Sequence, residues 1–187
     1  MTARFEIIDT SIRGLKVIRR APAGDERGKL ERLFCAEELS ALMAGRTIAQ
    51  VNHTVTAKAG TVRGMHFQHA PHAELKLVTC LRGEVFDVAV DLRRNSPTLL
   101  RWHAQVLRAD NQTTLLIPEG FAHGFQAMSD DCELLYFHTA AYAPAAEGGL
   151  HPEDPRLAIR WPKAVTALSP RDAAHRLLGE DFRGIAV

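Results

Sequence analysis

The sequence predicts an all-β fold, an antiparallel sandwich or jelly roll with a few short peripheral helices. Many short apolar segments follow one another at close intervals, broken by Gly, Pro, Asn and Asp, which is the punctuation of hairpins rather than of βαβ units. Glu84–Asp91 alternates with a period of two: Phe86, Val88 and Val90 share one face, and Asp87 and Asp91 share the other with Val85 and Ala89. Helical signals are confined to one early stretch and one in the tail.

Taken in order, Phe5–Ile8 and Leu15–Ile18 read as short strands across a turn, and the charged turn Gly24–Gly28 leads into a strand over Lys29–Phe34. A helix is expected over Ala36–Ala44, with Glu37 and Glu38 in its first turn, where the dipole favours them, and Gly45 as its stop. Strands are expected over Thr47–Val55, Val62–Gln68, Leu75–Leu81, Glu84–Asp91, Trp102–Leu107, Thr113–Ile117, Phe125–Met128 and Cys132–Thr139. The tail returns to helix over Ser169–Leu178, with Ser169 as N-cap and Pro170 in the first helical position. No repeat, low-complexity segment or long linker interrupts the 187 residues, so positions 1–187 are expected to form a single domain.

Composition narrows the function. Hydrophobic residues make up 46% and charged residues 24%, enough apolar content for a sizeable core. Lys+Arg 23 against Asp+Glu 22 leaves +1, without the basic excess that nucleic-acid binding shows; a small anionic ligand held by a few Arg and Lys remains compatible. Cys35, Cys80 and Cys132 are odd in number and lack CxxC spacing, which reads as reduced thiols in a cytoplasmic protein. The N-terminus has no apolar signal core, and no run approaches the ~18 apolar residues of a membrane span.

The chemistry concentrates in Arg63-Gly64-Met65-His66-Phe67-Gln68, in Lys76 set within the apolar run Leu75–Val78, and in Pro118–His123. An ammonium among aliphatic residues is costly to bury unless it meets an anion or developing negative charge, and an imidazole near it can take a proton. Arg63 and His66 are three apart, so a regular strand points them to opposite faces. For both to reach one pocket the strand must bulge near Gly64, the residue best able to allow it.

Gly60-x5-His66-x-Gln68 and Pro118-x-Gly120-x2-His123 resemble the two signature motifs of the cupin superfamily, small jelly rolls of which many bind a metal through a His-x-His pair, a Glu and a distal His. Here Gln68 replaces the second His of the pair. His66, Glu74 and His123 are the set a metal-dependent cupin oxygenase or isomerase would use, with His69 and His72 nearby, but the Lys76 ammonium would repel a cation in the same cavity. No metal is expected.

A closer resemblance rests on Val62–Gln68 (VRGMHFQ), Lys76–Val78, Gly83–Arg93 (GEVFDVAVDLR), Ser96–Thr98, Ile117–Phe125 (IPEGFAHGF), Leu135-Tyr136 and Tyr142–Pro144. These are similar to the dTDP-4-dehydrorhamnose 3,5-epimerase family, from about Asp25 to Asp172. The resemblance implies a cupin jelly roll that epimerises a nucleotide-linked 4-keto-6-deoxyhexose at C3, C5 or both, without metal or organic cofactor. It implies His66 as the base, Asp172 as its orienting carboxylate, Lys76 as the stabiliser of the enolate oxygen and Tyr136 as the acid on the opposite face. Arg27, Gln50, Asn52, Arg63, His123, Tyr142, Glu147 and Arg171 fall where the family binds phosphate, base and sugar; the arginines suit a diphosphate and Tyr142 can stack on the base. It also implies a homodimer in which an N-terminal strand, here Phe5–Ile8, joins the partner's sheet.

Departures from the family pattern fall at the nucleotide side: Arg32 stands at a glutamate's position, Val51 at an acid's, Leu75 at a glycine's, Phe137 at a lysine's and Ala141 at an aromatic's. Thymine is the expected base, with another nucleotide left open. A sugar-nucleotide 3,4-ketoisomerase and a non-catalytic sugar-nucleotide binding module are the remaining alternatives on the same scaffold.

Overall fold

The computed structural model describes residues 4–187; residues 1–3, the start of the stretch read for a signal core, lie outside the described residues. The strands are β1 (Phe5–Asp9), β2 (Lys16–Arg20), β3 (Ala23–Asp25), β4 (Gly28–Leu30), β5 (Gln50–Thr56), β6 (Val62–Gln68), β7 (Lys76–Arg82), β8 (Glu84–Asp91), β9 (Trp102–Arg108), β10 (Thr113–Ile117), β11 (Phe121–Ala127), β12 (Cys132–His138) and β13 (Glu147–Gly149). A six-stranded sheet runs β1-β2-β10-β7-β12-β5, a five-stranded sheet β13-β6-β11-β8-β9, and β3-β4 form a separate hairpin. Named strand pairs are antiparallel throughout.

The two larger sheets pack face to face. Val17, Val78, Leu115 and Leu134 of one meet Val85, Ala89, Phe125 and Ala127 of the other in a single buried cluster. The alternation in β8 is realised on both sides. Val85, Asp87, Ala89 and Asp91 are fully buried, while Val88 and Val90 pack outward with Met65 and Phe67 beneath Leu157 and Trp161 of the tail. On the outer face of the six-stranded sheet, Ile18, Leu77 and Leu116 pack with Leu39 and Met43.

Where expectation and structure differ, local causes are visible. The early helix is only α1 (Ser40–Met43), because Leu39 at its N-cap supplies no capping bond and Glu37 and Glu38 lie in the preceding turns; Ala44, left-handed at φ 48°, ends it. The tail helix is only α2 (Pro170–Ala173). Ser169 caps it as expected, accepting from Asp172 N–H at 3.0 Å, but the buried Asp154 captures the Leu178 N–H at 2.6 Å and the chain leaves the helix. β4 stops at Leu30 rather than Phe34, since the exposed hairpin has only β3 to pair with. β11 begins at Phe121 because its ladder with β8 starts at Phe121–Asp91. β1 pairs with β2 and lies at the edge of the six-stranded sheet.

No helix among the described residues is long and apolar enough to cross a membrane. The three cysteines are free thiols.

Candidate active site

Between the sheets lies a cavity of about 530 Å³, bordered by Arg63 and His66 of β6, His123 of β11, Lys76 of β7, Tyr136 and His138 of β12, and Arg171 and Asp172 of α2. A bulge brings Arg63 and His66 to it together. His66 pairs with His123 and Arg63 with Phe125, so β6 advances three residues where β11 advances two. Gly64 sits at this step with φ 130°, and a Cβ there would run into the backbone of Gly124. The irregularity anticipated at Gly64 is present. Arg63 Nε donates to Thr56 Oγ1 at 3.0 Å.

His66 and Asp172 form a dyad. His66 Nε2 lies 2.7 Å from Asp172 Oδ1, and Asp172 Oδ2 accepts from the Gly64 N–H at 3.2 Å. Burial pushes the Asp172 carboxyl up. The His66 bond and charge, with the Gly64 and Ser169 bonds, outweigh it and bring it down to about 2. Arg171 Nη2 is also 3.1 Å from His66 Nε2. One ring nitrogen cannot both donate to the carboxylate and accept from the guanidinium, so the shorter contact to the ionised Asp172 takes the proton and Arg171 flanks the ring as a charge.

Across the cavity, Tyr136 and Lys76 stand on neighbouring strands of the other sheet, Lys76 in register with His138. Burial, with the Asp87 charge next, pushes the Tyr136 phenol up, so it stays protonated. Its ring lies edge-on to His123, centroids 5.9 Å apart, and stacks on His138 at 5.9 Å. His123 Nε2 meets the buried Asp87 Oδ1 at 2.8 Å. Lys76 Nζ is 3.1 Å from Glu74 Oε1.

A second cavity of about 290 Å³ shares Asn52, His66, Lys76 and His138 with the first and adds Gln50, Tyr142 and Glu147. Gln50 accepts the Tyr142 N–H at 3.0 Å, the Tyr142 hydroxyl donates to Glu147 at 3.0 Å, and Arg171 pairs with Glu147 at 3.0 Å. Tyr142 remains half exposed, its ring free for a planar partner. Of the twelve expected site residues, eleven line these two cavities. Arg27 does not: it sits on the β3–β4 turn, bonded to Asp25.

The His66, Glu74 and His123 set is not assembled as metal ligands, since each engages a different partner: Asp172, Lys76 with His138, and Asp87. Among the described residues, His66, Asp172 and His175 are the group whose ligating atoms come within 4.8 Å of one another. There the Arg171 guanidinium, 3.1 Å from His66 Nε2, opposes a cation.

The sequence reading missed Asp87, His138 and His175. Asp87 was signalled by its place on the β8 face shared with Val85 and Ala89; His138 was signalled by standing two residues after Tyr136 on one strand face. His175 had no signal.

Comparison with known proteins decides the family. A family profile described as dTDP-4-dehydrorhamnose 3,5-epimerase matches residues 9–180. The chain belongs to the dTDP-4-dehydrorhamnose 3,5-epimerase family. That makes it an isomerase on a cupin-type jelly roll. It is 40% identical over 176 residues to the dTDP-4-dehydrorhamnose 3,5-epimerase of Salmonella typhimurium, covering 93% of this chain and 96% of the relative. It is 47% identical over 133 residues to a dTDP-4-dehydrorhamnose 3-epimerase of Streptomyces niveus, covering 71% of this chain and 64% of that one. The solved structure of a Legionella pneumophila dTDP-6-deoxy-D-glucose-3,5-epimerase in complex with dTDP-4-keto-L-rhamnose superposes with a TM-score of 0.87 at 41% identity, covering 92% of each chain. Of the departures from the family pattern, Arg32 pairs with Glu38, Val51 is exposed at a sheet edge, Leu75 is buried, and Phe137 stacks on Phe34 at 5.7 Å. None of the four replaces a group of the His66–Asp172, Lys76 and Tyr136 set.

Proposed function

We propose that this enzyme epimerises a dTDP-linked 4-keto-6-deoxyhexose in deoxysugar biosynthesis. His66 removes the proton alpha to the ketone, Lys76 stabilises the enolate oxygen, and Tyr136 returns a proton to the opposite face. The observation that carries this reading is the placement of imidazole and phenol on opposite sheets of one cavity, with the ammonium beside the phenol. An ionised Asp172 on Nε2 fixes the tautomer and leaves Nδ1 as the base. A binding module has no use for a proton donor facing a base.

Arg63 and Arg171 supply charge-assisted donors for the diphosphate, Tyr142 a face for the thymine, and Gln50, Asn52, His123 and Glu147 polar contacts along the sugar and base. The cavities draw on elements from β5 to α2, which supports a single catalytic domain. Free thiols support a cytoplasmic setting. We take the molecule to be a homodimer: β1 and β5 are sheet edges carrying exposed Ile7, Val51 and Val55, and Arg27 lies away from its own chain's cavity, where only a neighbouring subunit's site could use it.

The test is NMR in D₂O with dTDP-4-keto-6-deoxyglucose, which reports deuterium at C3, at C5 or at both. Wild-type enzyme incorporates deuterium. His66→Asn loses incorporation by about 10²–10⁴ while dTDP binding persists. Unchanged exchange in that variant overturns the assignment of His66, and migration of the keto group would mark a ketoisomerase.

A further inference from the structure

The chemistry above uses Lys76 but not the carboxylate beside it. Glu74 and Lys76 have side chains only 8% and 9% exposed, with Glu74 Oε1 at 3.1 Å from Nζ. The other oxygen, Glu74 Oε2, accepts from His138 Nδ1 at 2.7 Å. Lys76 and His138 are register partners on adjacent strands, and the His138 ring stacks on Tyr136. One buried carboxylate thus ties together an ammonium and an imidazole at the junction of the two cavities.

An ammonium so desolvated is costly to bury unless an anion offsets the loss of water. Glu74 is that anion. Burial pushes its carboxyl up, but the His138 bond and the Lys76 charge outweigh burial and hold it below the usual carboxylate range. A carboxylate free to close on the ammonium with both oxygens would neutralise the field Lys76 must present to an enolate. With Oε2 held by His138, Glu74 meets the ammonium through Oε1 alone.

We propose that Glu74 and His138 are a positioning pair for Lys76: the carboxylate offsets the buried charge of the amine, and the imidazole keeps the carboxylate from following the ammonium when it turns to the ketone oxygen. This rests on the reading of Lys76 as the enolate's partner. The other charged or titratable groups around that ammonium are Tyr136 on β12, Arg63 and His66 on β6, His123 on β11, and Arg171 and Asp172 on α2.

The experiment measures kcat for solvent-deuterium exchange against pH, and dTDP affinity by calorimetry, in Glu74→Gln, His138→Gln, the double variant and Lys76→Met. Glu74→Gln is expected to lower kcat about 10- to 100-fold, as displaced catalytic groups do, and to move the alkaline limb of kcat to lower pH, with dTDP affinity within about threefold of wild type. His138→Gln should lower kcat less, and the double variant no further than Glu74→Gln, because His138 acts through Glu74. Lys76→Met with exchange intact overturns the role of Lys76 and the pair with it. Loss of exchange in Lys76→Met, beside a wild-type rate and alkaline limb in Glu74→Gln, overturns the pair alone. So does simple additivity of the two changes. If Glu74→Gln does not fold, a wild-type rate in His138→Gln overturns the proposal by itself.

Discussion

Asp172→Asn is the most discriminating perturbation of the base. The two carboxylate oxygens have separate duties: Oδ1 meets His66 Nε2 at 2.7 Å and Oδ2 accepts the Gly64 N–H at 3.2 Å. A carboxamide offers one oxygen. If that oxygen keeps Gly64, the NH₂ faces Nε2, which must then present a lone pair, and the ring proton moves to Nδ1. The nitrogen left for the substrate can no longer accept a proton. The charge adds to the tautomer effect. Asp172 is held at about 2 against 3.8, which is of order 2 kcal/mol at about 1.36 kcal/mol per pH unit, a preference for the ionised carboxylate shared among His66, Gly64 and Ser169. Part of this and the wrong tautomer together give an expected loss of about 10²–10³ in the exchange rate, with dTDP binding retained. Deuterium incorporation followed by NMR under single-turnover conditions measures it. A rate within about fivefold of wild type would refute the dyad.

Three further outcomes follow from the same geometry. Tyr136→Phe should leave the first exchange step running while net inversion falls by about 10² or more; deuterium incorporation compared with product formation separates the two, and equal loss of both would mean that the phenol only binds. Gly64→Ala should destabilise the fold by about 2–4 kcal/mol, because φ is 130° and the added carbon meets the backbone of Gly124 and His123; Tm should fall by roughly 5–15 °C in a thermal melt, and an unchanged Tm would remove the strain argument. Because the Asp172 carboxyl is depressed on folding, its contribution to stability is fully present above about pH 4 and is lost as pH falls through about 2. The stability gap between wild type and Asp172→Asn, measured by urea unfolding, should therefore hold from pH 7 to pH 4 and narrow below; a gap independent of pH would count against it.

How much of this was legible in the sequence depends on the range of the physics. The period-two pattern of Glu84–Asp91 located a strand to the residue and put Asp87 on the face opposite Phe86, Val88 and Val90, because alternation is a property of a few adjacent residues; which face turns inward is set by how the sheets pack. Arg63 and His66, three apart, could share one pocket only if the strand bulged near Gly64, and the bulge is there. The helices were over-long because their termination is tertiary: Asp154, buried beneath the tail, takes the Leu178 N–H that a longer α2 would have bonded internally. The Glu74–His138 link escaped notice for a similar reason. It joins residues 64 apart through strand register, and nothing local to either marks it. Arg27 shows the converse, a residue placed at the site by motif position whose side chain this chain's own fold turns to Asp25.

Inverting a carbon centre needs a base and an acid whose proton affinities differ in opposite senses and which reach opposite faces of one ring. A sandwich supplies the second condition directly, since inward side chains of its two sheets confront each other across the cavity. The first is met by unequal surroundings. His66 is half-buried beside an ionised Asp172 and flanked by exposed Arg171. Tyr136 is buried among β12's neighbours with the Asp87 charge near it, and both hold its proton in place. Exchanging the two environments would require His66 to lose Asp172 and Tyr136 to lose the Asp87 charge; the Arg63 charge already acts on the phenol and does not offset its burial. The unlike surroundings of the two groups therefore come from Asp172 on α2 beside the imidazole and Asp87 on β8 near the phenol.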